Sequence, residues 1–394
     1  MNKNILRPEV QAFIQSNSNA DTASVSLGKS PFPGVAPREL AQQLSGRQKA
    51  EQKLPLWYQT PGIYYPPALN LEQASSEATA SYKGSLVSGQ LLVDLTGGFG
   101  VDDFFFSRTI QAVHYCEQDP QLAEIASHNF KRLGAENIIV HTGDGMAQLP
   151  VIAGENDRID WIYLDPSRRK KDRTRVYRLE DYQPRVAEIL PELFRASPNV
   201  LLKTSPLLDL TEGAKALGNV REVHVIGIRN EVKELIWWLQ EGYDGDADRI
   251  ALDLFYGNSP FRFALQEEQR SEVAFSRPLN YLYEPNASLL KAGAFKTVGA
   301  RYGLGKLHRH THLYTSETLI PFPGRVFKIV QTLAYKPGKL PFHKANVSVR
   351  NFPENVSRIR KRNRIKDGGN TYLFFIKSLD ESLQVLACEP VKVI

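Results

Sequence analysis

The chain has 394 residues, is 42% hydrophobic and 23% charged, and carries a net charge of +6 with a pI near 9.1. The length allows roughly two to four domains; no apolar run reaches the roughly 20 residues of a membrane helix. The N-terminal MNKNILRPEV lacks the apolar core of a secretory signal. Two cysteines, Cys116 and Cys388, are too few for a disulfide framework or a structural zinc site, so a reducing cytoplasm is expected, with no membrane partner.

Residues 1–90 show no strand alternation and predict helices in PEVQAFIQS and PRELAQQLSGRQKAEQKL, separated by the punctuated SLGKSPFPGVAP. Asn70, with Gln73 three residues on, predicts a capped helix through NLEQASSEATASYKG that ends near Gly84. From residue 91 the texture changes. Apolar β-type runs occur at 91–95, 112–117, 137–141, 159–165, 199–203, 222–228 and 249–256, with helix-compatible segments between most of them. Non-alternating strands separated by helices predict an α/β fold with a doubly wound parallel sheet of seven strands, the last a candidate to run antiparallel. NEVKELIWWLQEG, within 230–248, reads as its last helix, and Trp237-Trp238 as packing. After about residue 270, Pro/Gly-rich β-type runs predict small α+β modules.

Charge is clustered. Residues 168–178 and residues 350–366 each hold seven Arg or Lys and one acid. One basic run is usually a solvated face; two point to a polyanionic partner.

The first strand ends in LLVDLTGGFGVDDF. Glycines at the carboxyl end of a strand in an open α/β sheet let a ligand approach the backbone. The phosphate-loop pattern GxxxxGK[ST] is absent, and the third glycine of a dinucleotide loop is replaced by Asp103. Asp94 and Asp102 set negative charge where a pyrophosphate would sit, so the loop suits a cationic ligand.

This segment resembles the first motif of class I S-adenosylmethionine-dependent methyltransferases. The resemblance assigns cofactor contact to Asp94, Thr96, Gly97, Gly98, Gly100 and Asp102, to Glu117 at the end of the second strand (the ribose acid of the family), and to Asp144 after the third (the adenine acid). It assigns the catalytic loop to Asp165, Pro166 and Ser167 after the fourth strand. The family's amino-group enzymes carry Asp/Asn-Pro-Pro-aromatic there; here Ser167 and Arg168 depart from that pattern, and Tyr177 or Tyr182 are candidates to replace the stacking ring. Lys203, ending the fifth strand, borders the same pocket. Glu77, on the helix before the first strand, is a candidate to line it. Residues Lys83, Asp165, Lys203 and Glu231 form the alternative set for ribose 2′-O-methylation. A cysteine nucleophile is disfavoured, because Cys116 lies inside a strand.

The helix EQASSEATASYK, the DPSRR tract and the basic C-terminus together resemble a narrower bacterial group with a ferredoxin-like insert and a THUMP-like RNA-binding domain. The resemblance implies a helical region over 1–84, a methyltransferase domain over 85–270, a small ferredoxin-like module over 271–318 and a THUMP-like domain over 319–394. It implies methylation of structured RNA (rRNA or tRNA), most simply at a nucleobase nitrogen. A rival is a catalytically silent RNA-binding or assembly factor that keeps the fold. Arg168, Arg169, Lys170, Lys171, Arg358, Arg360, Lys361 and Arg362 are the candidate RNA contacts. His308, His310 and His312 alternate as on one strand face, but no nearby Cys or acid pattern supports a metal, and none is expected.

Overall fold

In the computed structural model, which describes residues 1–168, 179–256 and 259–391, the chain divides into two units. The first comprises Met1–Arg221 and Ile236–Asp244, the second Glu222–Leu235 and Gly245–Ile394. Arg169, Lys170, Lys171 and Tyr177, together with the Arg168 side chain, lie outside the described residues.

The first unit begins with six helices: α1 (Pro8–Ser16), α2 (Thr22–Leu27), α3 (Pro37–Lys53), α4 (Pro55–Gln59), α5 (Ala68–Gln73) and α6 (Glu77–Leu86). Proline opens α1, α3 and α4, where its missing N–H leaves no intrahelical bond unmade. The helix expected from Asn70 to Gly84 is two helices. Asn70 lies within α5 and its carbonyl accepts the Ala74 amide, whereas α6 starts afresh at Ser76, whose hydroxyl accepts the Thr79 amide at 3.2 Å. The Ser75-Ser76 pair offers a better cap than continued helix. Leu40, Leu44, Trp57 and Leu71 share one core with Phe99, Phe104 and Phe130, so the helical region is built onto the sheet domain.

Strands β1 (Gly89–Asp94), β2 (Ile110–Glu117), β3 (Ile138–Thr142), β4 (Trp161–Leu164) and β7 (Asn199–Thr204) alternate with α7 (Val101–Phe106), α8 (Pro120–Leu133), α9 (Gly145–Glu155), α10 (Val186–Ala196) and α11 (Leu210–Leu217). Two short strands, β5 (Ser167–Arg168) and β6 (Tyr182–Gln183), pair antiparallel beside the sheet. The order β7-β4-β1-β2-β3 is parallel throughout. The order reverses between β1 and β4, the point at which open α/β sheets bind ligands beyond the strand carboxyl ends. All four residues of β4 are buried, as a strand covered on both faces requires.

The second unit takes up β8 (Val220–Ile228) from Glu222, the start of β9 (Glu231–Gln240), β10 (Asp248–Asp253) and β11 (Phe261–Ala264), in the order β11-β10-β8-β9. β9 is the segment expected to be helical. Arg229 and Asn230 both take positive φ (53° and 63°), the two-residue turn that reverses a chain into a hairpin, and Glu234–Trp237 are buried consecutively. The remainder of β9 stands beside β7 in the first unit. There Trp237 is wholly buried and donates to the Thr204 hydroxyl at 2.8 Å, as packing predicts. β10, the candidate antiparallel strand, runs parallel to β8, and β11 runs antiparallel to β10. Among the described residues, nine strands thus fall in these two groups where seven were expected.

The rest of the second unit holds α12 (Leu265–Arg270), β12 (Tyr281–Pro285), α13 (Ala287–Ala292), α14 (Thr297–Arg301), β13 (Gly305–His308), β14 (Thr311–Ser316), β15 (Gly324–Ala334), β16 (Asn346–Arg350), α15 (Val356–Asn363), β17 (Tyr372–Lys377) and β18 (Leu383–Val391). Its seven strands run β13-β14-β12-β15-β18-β17-β16. Ile359 of α15 is buried with Leu373, Phe375 and Val385. The three alternating histidines do not share one strand face: Arg309 and His310 form the turn between β13 and β14. His308 instead meets Glu381 at 2.9 Å, and His312 stacks on Phe295 with ring centres 3.8 Å apart.

Candidate functional site

A cavity of about 640 Å³ lies in the first unit beyond the carboxyl ends of β1, β2 and β4. Its floor is the turn from β1 to α7. Gly98 and Gly100 take φ of 61° and 77°, which a side chain rarely adopts. Gly97 admits no other residue, because a Cβ there would lie 2.2 Å from the Tyr115 ring. Tyr115 in turn donates its hydroxyl to the Gly98 carbonyl at 2.6 Å, so the loop is fixed from below.

The predicted acids meet this loop at separate points. Glu117 accepts the Gly98 amide at 2.8 Å through one oxygen and the Asp119 amide at 2.8 Å through the other. Asp144 caps α9, accepting the Met146 amide at 2.8 Å, and is among the residues that line the cavity. Asp94 is buried and accepts both the Thr96 amide, at 2.7 Å, and the Thr96 hydroxyl, at 3.1 Å. The Thr96 hydroxyl oxygen also accepts the Asp165 amide at 2.7 Å. Thr96 therefore ties the glycine turn to the loop after β4.

Asp165 accepts from Lys203 Nζ at 2.5 Å; the lysine is mostly buried and the carboxylate about one-third exposed. Ser167 lines the cavity with Gln183 and Pro184, while Pro166 is buried and outside the lining. Tyr182 is no stacking ring: it is 2% exposed, and its hydroxyl accepts the Ser205 amide at 3.0 Å. Glu77 lies outside the cavity lining and accepts the Leu56 amide at 2.8 Å.

Asp102 is tied down on three sides. One oxygen accepts from Ser75 at 2.9 Å and Tyr163 at 2.8 Å, and the other pairs with Lys83 at 3.0 Å. Lys83 is fully buried and also donates to Ser75 at 2.7 Å. It is thus a structural counter-charge and does not stand with Asp165 and Lys203. Glu231, the last of the ribose-directed set, belongs to the second unit and pairs with Lys233 at 2.6 Å.

Three adjacent buried carboxyls respond differently to this arrangement. Burial, opposed by the Thr96 amide and reinforced by the charge of Asp102, pushes Asp94 up to about 7. Burial and the charges of Asp94 and Asp102 raise Asp103 well above the usual carboxylate range. Burial also acts to raise Asp102, but Lys83 and Lys203 outweigh it and hold this carboxyl below its ordinary value. The site therefore keeps a fixed negative charge at Asp102 and a proton-holding pair behind it. Burial pushes the Cys116 thiol up to about 12, which removes it as a nucleophile near neutral pH.

Some participants were not read from the sequence. Asn70, Gln73 and Ser75 line the cavity from α5 and the turn after it. Lys83 enters the sequence reading only as a member of the ribose-directed set, yet Thr79, Ala80, Lys83 and Gly84 form the buried stripe of α6. A lysine inside such a stripe needs a buried acid as partner.

Comparison with known proteins agrees with this geometry. A ferredoxin-like domain model matches residues 281–323, and a THUMP domain-like model matches 324–390. Uncharacterized S-adenosylmethionine-dependent methyltransferases of two Mycobacterium tuberculosis strains are each 24% identical over 270 residues, covering 68% of this chain and 70% of theirs. The crystal structure of a protein designated a methyltransferase, from Porphyromonas gingivalis W83, is 32% identical, covers 99% of both chains and superposes with a TM-score of 0.87. Among the described residues no helix is long and apolar enough to cross a membrane. The glycine turn, the acids at successive strand ends and this whole-length similarity place the chain in the family of S-adenosylmethionine-dependent methyltransferases whose C-terminus carries ferredoxin-like and THUMP-like domains.

Proposed function

We propose that the chain methylates a nucleobase nitrogen of a structured RNA, an rRNA or a tRNA. The observation that carries this reading is the placement of Asp165 at the edge of the glycine-floored cavity, held by the Thr96 hydroxyl on its amide and Lys203 on its carboxylate. The THUMP-like match over 324–390 supports RNA as the substrate class.

The residues present fit S-adenosylmethionine. The volume suits a ligand of that size, the glycine turn leaves room for close approach, and the lining acids suit a cation. In this reading Glu117 and Asp144 would hold the ribose and adenine ends, and Gly97, Gly98 and Gly100 would admit the ligand against the backbone. Asp94 and Asp102, with Thr96 between the loops, shape the end towards Asp165. The cofactor, when bound, supplies an electrophilic methyl group on a sulfonium.

The chain's own task is alignment and exclusion of water. Asp165 accepts a hydrogen bond from the acceptor amine and so turns the nitrogen lone pair towards the methyl group. Lys203 keeps the Asp165 carboxylate in one orientation, and Ser167 with the buried Pro166 fixes the backbone beside it. Arg168, with Arg169, Lys170 and Lys171, would lead the RNA backbone to this mouth. Arg358, Arg360, Lys361 and Arg362 add positive charge on α15, in the THUMP-like part. Phosphate contacts of this kind position a substrate without specifying its sequence.

The test is incubation of the purified chain with methyl-labelled S-adenosylmethionine and total rRNA and tRNA from a strain lacking it, followed by nucleoside mass mapping. Label on one base nitrogen is expected. Label on a ribose oxygen would reassign the acceptor, and absence of cofactor binding by calorimetry would favour a silent RNA-binding protein.

A further inference from the structure

Residues 336–370 hold ten Lys or Arg and two acids, Glu354 and Asp367. The two acids are already engaged. Glu354 pairs with Arg358 at 3.4 Å and Arg362 at 3.1 Å, and also accepts from the Tyr335 hydroxyl at 3.0 Å. Asp367 pairs with Arg360. Three of the four cations expected on α15 are therefore partly spent within the protein.

The cations on the flanking loops are not. Lys336, Lys339 and Lys344 come from the loop between β15 and β16, and Arg364 and Lys366 from the loop between α15 and β17. All five are exposed, as is His343, and none has an ion-pair partner among the described residues. The two loops are far apart in sequence but fastened together. The Gly338 amide donates to the Asn363 side chain at 2.8 Å. Lys344 and Lys366 sit opposite each other in a parallel bridge; the Lys366 amide donates to the His343 carbonyl at 2.8 Å and the Ala345 amide to the Lys366 carbonyl at 3.0 Å. The Asn346 side chain closes the far end on the Gly369 carbonyl at 2.8 Å. The Lys344 stem passes over Gly368 and Gly369, two successive glycines of positive φ.

We infer that these paired loops, 336–344 and 364–370, form the face that grips the phosphate backbone of the RNA, and that α15 is its support more than its reader. The inference rests on the RNA reading above. A fixed array of unpaired, solvated cations is what counterion release rewards: each displaced phosphate counterion contributes, and no protein carboxylate has to be abandoned first. Arginines that hold Glu354 and Asp367 must break a pair to reach a phosphate. The consecutive basic runs of the sequence concealed this, because 336–344 lies outside the dense run at 350–366 and joins it only in three dimensions, through the bridge and the Gly338–Asn363 bond.

The experiment uses the full chain, fluorescently labelled bulk bacterial tRNA as the probe, and anisotropy titrations across a salt series. The Lys336→Gln, Lys339→Gln, Lys344→Gln, Lys366→Gln variant is compared with an Arg358→Gln, Arg362→Gln variant. Unchanged melting and unchanged S-adenosylmethionine affinity confirm that both are folded. The loop variant should bind tRNA about tenfold or more weakly, with its log–log salt slope shallower by about three to four, one per phosphate contact removed. The α15 variant should change affinity less than about threefold. A loop variant that binds like the parent, while the parent shows a steep salt slope, overturns the assignment and leaves the RNA reading standing. A parent chain with no salt-dependent binding to tRNA or to rRNA fragments overturns both. Loss of binding to phosphatidylglycerol vesicles with tRNA affinity retained would make the face a membrane contact and also overturn the proposal.

Discussion

Charge is handled in opposite ways around the cavity and on the loops beside α15. Around the cavity, Asp94, Asp102 and Lys83 are buried, and each is held by a specific neighbour. On the loops beside α15, Lys336, Lys339, Lys344, Arg364 and Lys366 stand in solvent with no ion-pair partner among the described residues. Buried charge is costly, so its geometry is tightly determined and removing one partner strands the other. Exposed charge costs little, is screened by salt, and acts by number. Substitutions in the first region should therefore have large and specific effects, and those in the second small and cumulative ones.

The largest effect is expected at Asp165. Asp165→Ala should lower methyl transfer by about 100-fold or more while leaving S-adenosylmethionine affinity within a few-fold, since Glu117, Asp144 and the glycine turn are untouched. Single-turnover transfer and calorimetry separate the two. Retained transfer would remove Asp165 from the mechanism and weaken the contrast at its centre.

The next largest should be in stability. Lys83→Met strands Asp102 in a dry site and should cost about 3–5 kcal/mol in urea unfolding. Adding Asp102→Asn should recover much of that loss, because the unpaired charge is then gone. If the single change costs under about 1 kcal/mol, water reaches the pair and the region is not as dry as its burial indicates.

Asp94 gives a pH test. Its carboxyl is raised in the folded chain to about 7, mainly by burial. A raised carboxyl stabilises the fold while protonated; that contribution is complete below the ordinary carboxylate value and fades as pH rises through about 7. The urea midpoint should fall between roughly pH 4 and pH 7 and level off above, and Asp94→Asn should flatten the decline. A parallel decline in the variant would assign it to other groups.

The same contrast explains what was legible in the sequence. Strands β1, β2, β3, β4, β7, β8 and β10 announced themselves as apolar runs, and the DLTGGFG turn and the acids at 117, 144 and 165 as punctuation at their ends. The glycine turn is short-range chemistry, set by φ at Gly98 and Gly100. Strand β9 was missed because Glu, Lys, Leu and Gln favour helix locally, and only the Arg229-Asn230 turn and burial on both faces override that preference. The Lys83–Asp102 pair joins residues 19 positions apart across two helices, and the paired basic loops meet through a bridge between Lys344 and Lys366. Neither contact has a local signature. The one hint for the first was a lysine set among Thr79, Ala80 and Gly84 on a helix's inner stripe.

The smallest expected effect bears on the boundary between the two regimes. Glu354 is half-buried beneath α15 and holds Arg358 and Arg362, which are themselves exposed. Such pairs contribute roughly 0–1 kcal/mol each, so Glu354→Gln should cost about 2 kcal/mol of stability at most. It also removes a negative charge that competes with phosphate for the two arginines. If α15 is a support whose cations are held back by this carboxylate, Glu354→Gln should tighten tRNA binding by about two- to threefold and steepen the salt slope slightly, by one contact or less. Weaker binding would mean that Glu354 aims the arginines at the RNA, and that the helix reads the backbone alongside the loops.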